Sequence, residues 1–246
     1  MENSKNNYRI TTIILFIFFV LFTISVKTFD VQNFGMDETP IGYVLINIPF
    51  QHIISLFRVF SYYIMAIYNI SNYLGYLAIF IILFWCVVAI FQLFLKGSLW
   101  KVDPKIISFG IVVVIFALQY VFFDKVVINY RPASFYGNSY FGDVIEEVLE
   151  SSYPSTHTTL AIMVFACNIT IIKTYLKGTN KLKKLLYNII KIVNIILMIT
   201  LILCRVISGV HWFTDIVGGV VLGGFLYSLF VYLSQMICYN FKNRTN

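Results

Sequence analysis

Charge is what this sequence has least of. Only 12% of its 246 residues are Asp, Glu, Lys or Arg, about half the share found in an ordinary soluble domain. That shortage excludes a surface solvated by water on all sides. A hydrophobic content of 59% and a mean hydropathy of +0.83 make lipid the main solvent instead. The chain also lacks any polar stretch long enough to fold separately, any internal repeat, low-complexity tract or domain linker, so 1–246 reads as a single membrane domain. Cysteine is scarce. Cys86, Cys167, Cys204 and Cys238 lie in or at the ends of apolar runs with no paired spacing. That excludes a zinc or dithiol motif and leaves reduced packing residues.

What is present is long apolar segments. A spanning helix needs roughly 20 predominantly apolar residues. Ile10–Val26, Ser71–Leu95, Ile106–Phe123, Leu185–Cys204 and Ile216–Cys238 come close, and Thr158–Ile172 does so if its helix begins near Ser155. Lys5 and Arg9 precede the first segment as in a signal peptide, but no small-residue cleavage site follows, which predicts a retained signal anchor. The stretch Ile41–Asn69 is apolar and aromatic but broken by Pro49, Gln51, His52 and Arg58. It suits an interfacial helix on the outer face better than a seventh span. The predicted fold is an all-α bundle of six transmembrane helices with residues 27–70 forming an outer loop and interfacial segment.

The charges orient the bundle. With the N-terminus in the cytoplasm, 13 of the 18 basic residues fall inside, and nine of the 11 acidic residues, all but Glu2 and Asp103, fall outside. The net charge of +7 is therefore spent on topology rather than on one soluble face, which argues against nucleic acid as a partner. Only Lys27, Arg58, Lys125, Arg131 and Arg205 remain as basic residues on the outer side.

Most of that remainder falls in three polar islands at one membrane face: Lys125-Val-Val-Ile-Asn-Tyr-Arg131-Pro132, then Tyr153-Pro154-Ser155-Thr156-His157, then Arg205-Val-Ile-Ser208-Gly209-Val-His211-Trp-Phe-Thr-Asp215. Ionisable groups at this depth are costly unless paired or functional. Arg131, Arg205 and Lys125 offer positive charge and donors suited to phosphate oxygens. A helix starting after Pro154 aims the backbone N–H groups of Thr156 and His157 at an anion, with the Ser155 hydroxyl beside them. Two histidines allow one nucleophile and one general acid. Asp215 lies one helical turn beyond His211, where a carboxylate fixes the imidazole tautomer and stabilises the cation formed on attack. Taken singly, each has an ordinary reading: arginines anchor span ends, Ser155 is an N-cap, Lys125 is a juxtamembrane lysine, Tyr130, Trp212 and Phe213 are interface aromatics, and His52 is a surface or packing residue. Their combination is what carries chemistry.

The order Lys…Arg-Pro, Pro-Ser-x-His, Arg-x5-His-x3-Asp resembles the three-part signature of the type 2 phosphatidic acid phosphatase superfamily, across a core of about 106–238. The resemblance implies a six-helix membrane phosphatase that needs no metal or other cofactor. By that resemblance His211 is the nucleophile, oriented by Asp215. His157 protonates the leaving oxygen, and Lys125, Arg131, Ser155, Thr156 and Arg205 hold the phosphate. There are three departures. Five residues rather than six separate the lysine from Arg131-Pro132, with Asp124 in the lysine's expected place. Thr156 stands for the usual glycine, and Cys204 for a serine.

The expected reaction is hydrolysis of a lipid phosphate or diphosphate through a phosphohistidine, at an extracytoplasmic site with both termini cytoplasmic. A polyprenyl diphosphate such as the undecaprenyl cell-wall carrier is the favoured substrate, with phosphatidylglycerol phosphate and phosphatidic acid open. The partners are that substrate and the bilayer; the oligomeric state is open. Two alternatives use the same pocket: a phosphotransferase with a lipid or sugar hydroxyl in place of water, and a non-catalytic lipid-phosphate binder or transporter. The acidic loop Asp143–Glu150 reads as a solvated surface helix.

Overall fold

A computed structural model describes residues 2–34, 39–56, 61–132, 150–176, 178 and 180–245. Among these, six helices are long and apolar enough to cross a membrane. They belong to α1 (Glu2–Thr28), α3 (Ser61–Lys96), α4 (Pro104–Lys125), α5 (Thr156–Tyr175), α6 (Lys181–Ile207) and α7 (Phe213–Thr245). A short antiparallel pair, β1 (Gln32–Phe34) and β2 (Thr39–Ile41), leads from α1 into α2 (Val44–Leu56), the short apolar helix between the first two spans. The chain is a multi-pass membrane protein. Residues 61–69, taken from sequence as part of the interfacial stretch, instead form the start of α3, whose spanning part runs from Met65 to Lys96. Residues 143–149 of the acidic loop, and Arg58, lie outside the described residues.

Local chemistry sets the helix starts. Asp103 caps α4, its Oδ1 accepting from the Lys105 N–H at 2.8 Å with Pro104 in the first turn. Asn180 caps α6 in the same way, accepting from the Leu182 N–H at 2.8 Å. Side chains such as Phe94 and Leu118 point outward and exposed, as helices in lipid require.

In lipid, apolar burial alone does not drive helices together, so close packing and polar links must. α7 is the central element, packed against α1, α4 and α5. At Gly219 a Cβ atom would sit 2.7 Å from the Ser155 carbonyl oxygen, so α5 and α7 approach closely only because that position is glycine. Away from the loops, the Trp85 indole donates to Asn168 Oδ1 at 2.9 Å, and the Asn168 amide donates to Asn194 Oδ1 at 2.9 Å. That chain ties α3, α5 and α6 together. Thr12 and Ser228 join α1 to α7 at 3.0 Å.

Candidate active site

Because the spans alternate in direction, the end of α4, the starts of α5 and α7 and the end of α6 meet at one end of the bundle. The three polar islands are then joined through their backbones. Residues 129–131 run antiparallel to 150–152: Ser152 N–H donates to the Asn129 carbonyl at 2.9 Å and Arg131 N–H to the Glu150 carbonyl at 3.2 Å. Ser155 N–H donates to the Asp215 carbonyl at 3.0 Å. The buried Trp212 indole donates to the Tyr130 carbonyl at 2.6 Å. The first island thus touches the third and the residues 150–152 that lead into the second, and the second touches the third.

The junction opens into a cleft of about 450 Å³ lined by Asp124, Arg131, Glu150, Ser152, Thr156 and His211, among others. His211 is 4% exposed. Its Nδ1 lies 3.1 Å from the Ser152 carbonyl oxygen and 3.1 Å from the Ser152 hydroxyl, while the Asp215 carboxylate is 3.7 Å away. The Ser152 hydroxyl donates in turn to Asp215 Oδ2. A carbonyl can only accept, and the single hydroxyl proton is committed to Asp215, so Nδ1 must carry the imidazole proton. Nε2 then holds the lone pair. Asp215 thus approaches His211 as the spacing predicts, but its hydrogen bond runs to the Ser152 hydroxyl. Asp215 also accepts from the Trp212 N–H at 2.9 Å, which fixes it at the start of α7. Burial, and then the positive fields of Arg131 and Arg205, hold the His211 imidazole well below its ordinary pKa, against a smaller upward push from the Ser152 carbonyl. The ring is neutral and nucleophilic.

The remaining sequence candidates sit as follows. Arg131 faces the cleft with its Nε 2.7 Å from Glu150 Oε2. Thr156 lines the cleft as the first residue of α5, and its N–H and that of His157 have no acceptor within the helix. Thr156 lies in ordinary helical backbone, so a β-branched residue fits where the signature has glycine. Ser155 is fully buried as the N-cap residue of α5, and its hydroxyl accepts from Thr158 at 3.0 Å. His157 is half-buried, within electrostatic reach of Arg205, His211 and Arg131. Arg205, in the last turn of α6, is 2% exposed. Ser155, His157 and Arg205 are not among the residues lining the cleft, and neither is Lys125. Its side chain is 78% exposed and paired with Asp124 at 3.2 Å, and Asp124 rather than Lys125 lines the cleft. The register shift seen in the sequence has carried the lysine off the site wall.

Several residues here escaped the sequence reading. α2 lies over the third island: Gln51 Nε2 donates to the His211 carbonyl at 2.9 Å and to that of Gly209 at 3.2 Å. Asn47 donates to Thr214 Oγ1 at 3.0 Å and accepts from the Thr214 N–H at 3.2 Å. Gly209 itself has φ +66°, a left-handed turn that favours glycine. Tyr153 is buried beneath the cleft, its hydroxyl 2.8 Å from Thr23 of α1, and burial raises its phenol pKa so that it stays protonated. The available signal was polar side chains, Asn47 and Gln51, inside an otherwise apolar helix, which need partners when buried.

Comparison with known proteins agrees with this architecture. Residues 105–238 match the PAP2 superfamily. Among solved structures, the chain is similar to the crystal structure of the first transmembrane PAP2 type phosphatidylglycerolphosphate phosphatase from Bacillus subtilis, at 16% identity and a TM-score of 0.54, over 96% of this chain and 98% of that one. At that identity the likeness speaks for the fold. No curated protein sequence matches the chain.

Proposed function

The chain belongs to the PAP2 superfamily, and on that premise we propose that it hydrolyses a lipid phosphate or diphosphate at the extracytoplasmic face through a phosphohistidine on His211. The observation that carries this reading is the neutral imidazole of His211 on the cleft wall, with Nδ1 anchored to Ser152 and Arg131 facing the same space.

The reaction follows from those placements. Arg131, Arg205 and the N–H groups opening α5 bind the phosphoryl oxygens and stabilise charge as it develops. Nε2 of His211 attacks phosphorus, and the bond from phosphorus to the leaving oxygen breaks as His157 gives that oxygen a proton. The Ser152 carbonyl, with Asp215 behind the Ser152 hydroxyl, stabilises the imidazolium formed. A water then loses a proton to His157 and its oxygen attacks phosphorus. The phosphorus–nitrogen bond breaks, releasing phosphate and restoring both rings. No step needs a metal.

The depth of the site at the end of a membrane bundle supports a lipid substrate, and the charge asymmetry of the loops supports an outward-facing site. A polyprenyl diphosphate is the favoured candidate for an outward-facing site. The test is release of inorganic phosphate in detergent and chelator from polyprenyl diphosphate, phosphatidylglycerol phosphate and phosphatidic acid, with no acceptor alcohol added. The wild type releases phosphate from at least one of these, and His211→Ala loses at least about 10³-fold in kcat. Activity that vanishes in chelator, that requires an added acceptor, or that survives in His211→Ala refutes the mechanism.

A further inference from the structure

We propose that one face of α3, formed by Tyr68, Asn72 and Gly75, positions both Arg205 and His157 for this reaction. The proposal rests on the phosphatase reading above and adds an element outside the matched residues 105–238. Positions 68, 72 and 75 are spaced four and three apart, so they share one helical face. That face turns inward: Gly75 is buried and Tyr68 and Asn72 are half-buried, while Tyr73 and Tyr76 on the flank are exposed.

The contacts are specific. Arg205 Nη2 donates to Asn72 Oδ1 at 2.5 Å, and its Cζ lies 5.1 Å from the centroid of the Tyr68 ring. A guanidinium 2% exposed must find partners or forfeit its solvation. Here the amide oxygen and the ring face are both neutral. They orient the fork and leave its full positive charge for a phosphate. A carboxylate at position 72 would hold the guanidinium as firmly while cancelling its charge. At Gly75, an added Cβ would lie 3.0 Å from His157 Cδ2 and 3.1 Å from Nε2. The helix backbone therefore abuts the ring edge that bears Nε2, and even a methyl group would press on it.

One helix thus sets two different functions, phosphate binding through Arg205 and proton delivery through His157, and the two separate kinetically. Proton delivery matters for an alkyl leaving group, which departs poorly as an anion. It matters little for p-nitrophenolate, which departs readily without a proton. Gly75→Ala should cut kcat on a lipid alkyl phosphate about tenfold while changing p-nitrophenyl phosphate turnover by less than about twofold. Asn72→Ala should weaken inhibition by vanadate about tenfold and raise KM for both substrates alike. Asn72→Asp should likewise keep vanadate inhibition weakened, because its charge cancels that of the guanidinium it holds.

Equal loss on both substrates in Gly75→Ala, or no loss, overturns the positioning of His157. Unchanged vanadate inhibition in Asn72→Ala overturns that of Arg205. Failure of the phosphatase reading looks different: the wild type itself then hydrolyses neither substrate, or His211→Ala matches it.

Discussion

Two regions meet at one end of the bundle and they differ in kind. The loops at 129–131, 150–157 and 205–215 hold the groups with reactive chemistry: two imidazoles, two guanidiniums and two carboxylates. The N-terminal region from Gly42 to Gly75 contributes amides, a phenol ring and a glycine. Yet the second region holds the first in place. Gln51 and Asn47 brace the loop that carries His211, and Asn72, Tyr68 and Gly75 contact Arg205 and His157. Reactivity needs particular functional groups in a fixed order along the chain, whereas bracing needs only a donor, an acceptor or a gap at the right place. The first is concentrated, the second dispersed.

Mutations should separate the two regions, and the largest effects belong to the loops. Asp215→Asn is expected to lower kcat by roughly 10³-fold with little change in KM, since it weakens stabilisation of the imidazolium. Ser152→Ala keeps the backbone carbonyl at His211 Nδ1 and loses only the hydroxyl link to Asp215. Its kcat should drop by about tenfold, the worth of one hydrogen bond to a charged group. If Ser152→Ala equals Asp215→Asn, the hydroxyl rather than the carbonyl holds the ring. If it has no effect, the carboxylate acts on His211 directly.

The bracing region should respond in stability before activity. Gln51→Ala leaves the buried carbonyls of Gly209 and His211 short of a donor, at about 1–3 kcal/mol. A lower melting temperature in detergent, with kcat changed less than in Ser152→Ala, would sharpen the contrast between regions. The opposite pattern would erase it.

Acidity probes the same contrast from the loop side. Burial and the neighbouring arginines depress the His211 pKa below its ordinary 6.5 in the folded protein. Below that value the unfolded chain binds a proton that the folded one refuses, so stability falls as pH falls toward the folded pKa. Thermal melts between about pH 7.5 and 5.5 should show this decline, and His211→Gln should flatten part of it. A decline of the same slope in His211→Gln would assign it to other groups. The smallest effect belongs to Lys125→Ala. An exposed pair with Asp124 contributes about 0–1 kcal/mol, and phosphate release should change by less than about twofold.

Much of this was legible in the sequence, for reasons particular residues make plain. Six apolar runs stand out because lipid tolerates few charges, and their ends moved mainly where capping or interfacial polarity decides, as at Ser61–Ile70. His157, Arg205, His211 and Asp215 stand out because charge is rare in such a chain. Lys125 misleads for the same reason: a lysine in the motif attracts the phosphate role, but a shift of one residue on a helix turns a side chain by about 100°. Ser152 gives no such signal, since an ordinary hydroxyl becomes significant only through its neighbour, and Gln51 gives only the weaker one of an amide in an apolar helix.

The sequence by itself determined the number of spans, the sidedness expected from its charges and the candidates for the reactive groups, because these depend on composition and order along one strand of chain. Only the tertiary structure decided that Ser152 stands between His211 and Asp215, that Asp124 displaces Lys125 from the wall, and that α2 and α3 hold the site from the N-terminal side. Those are relations between residues far apart in the chain, fixed by helix packing and by the demand that every buried polar group find a partner.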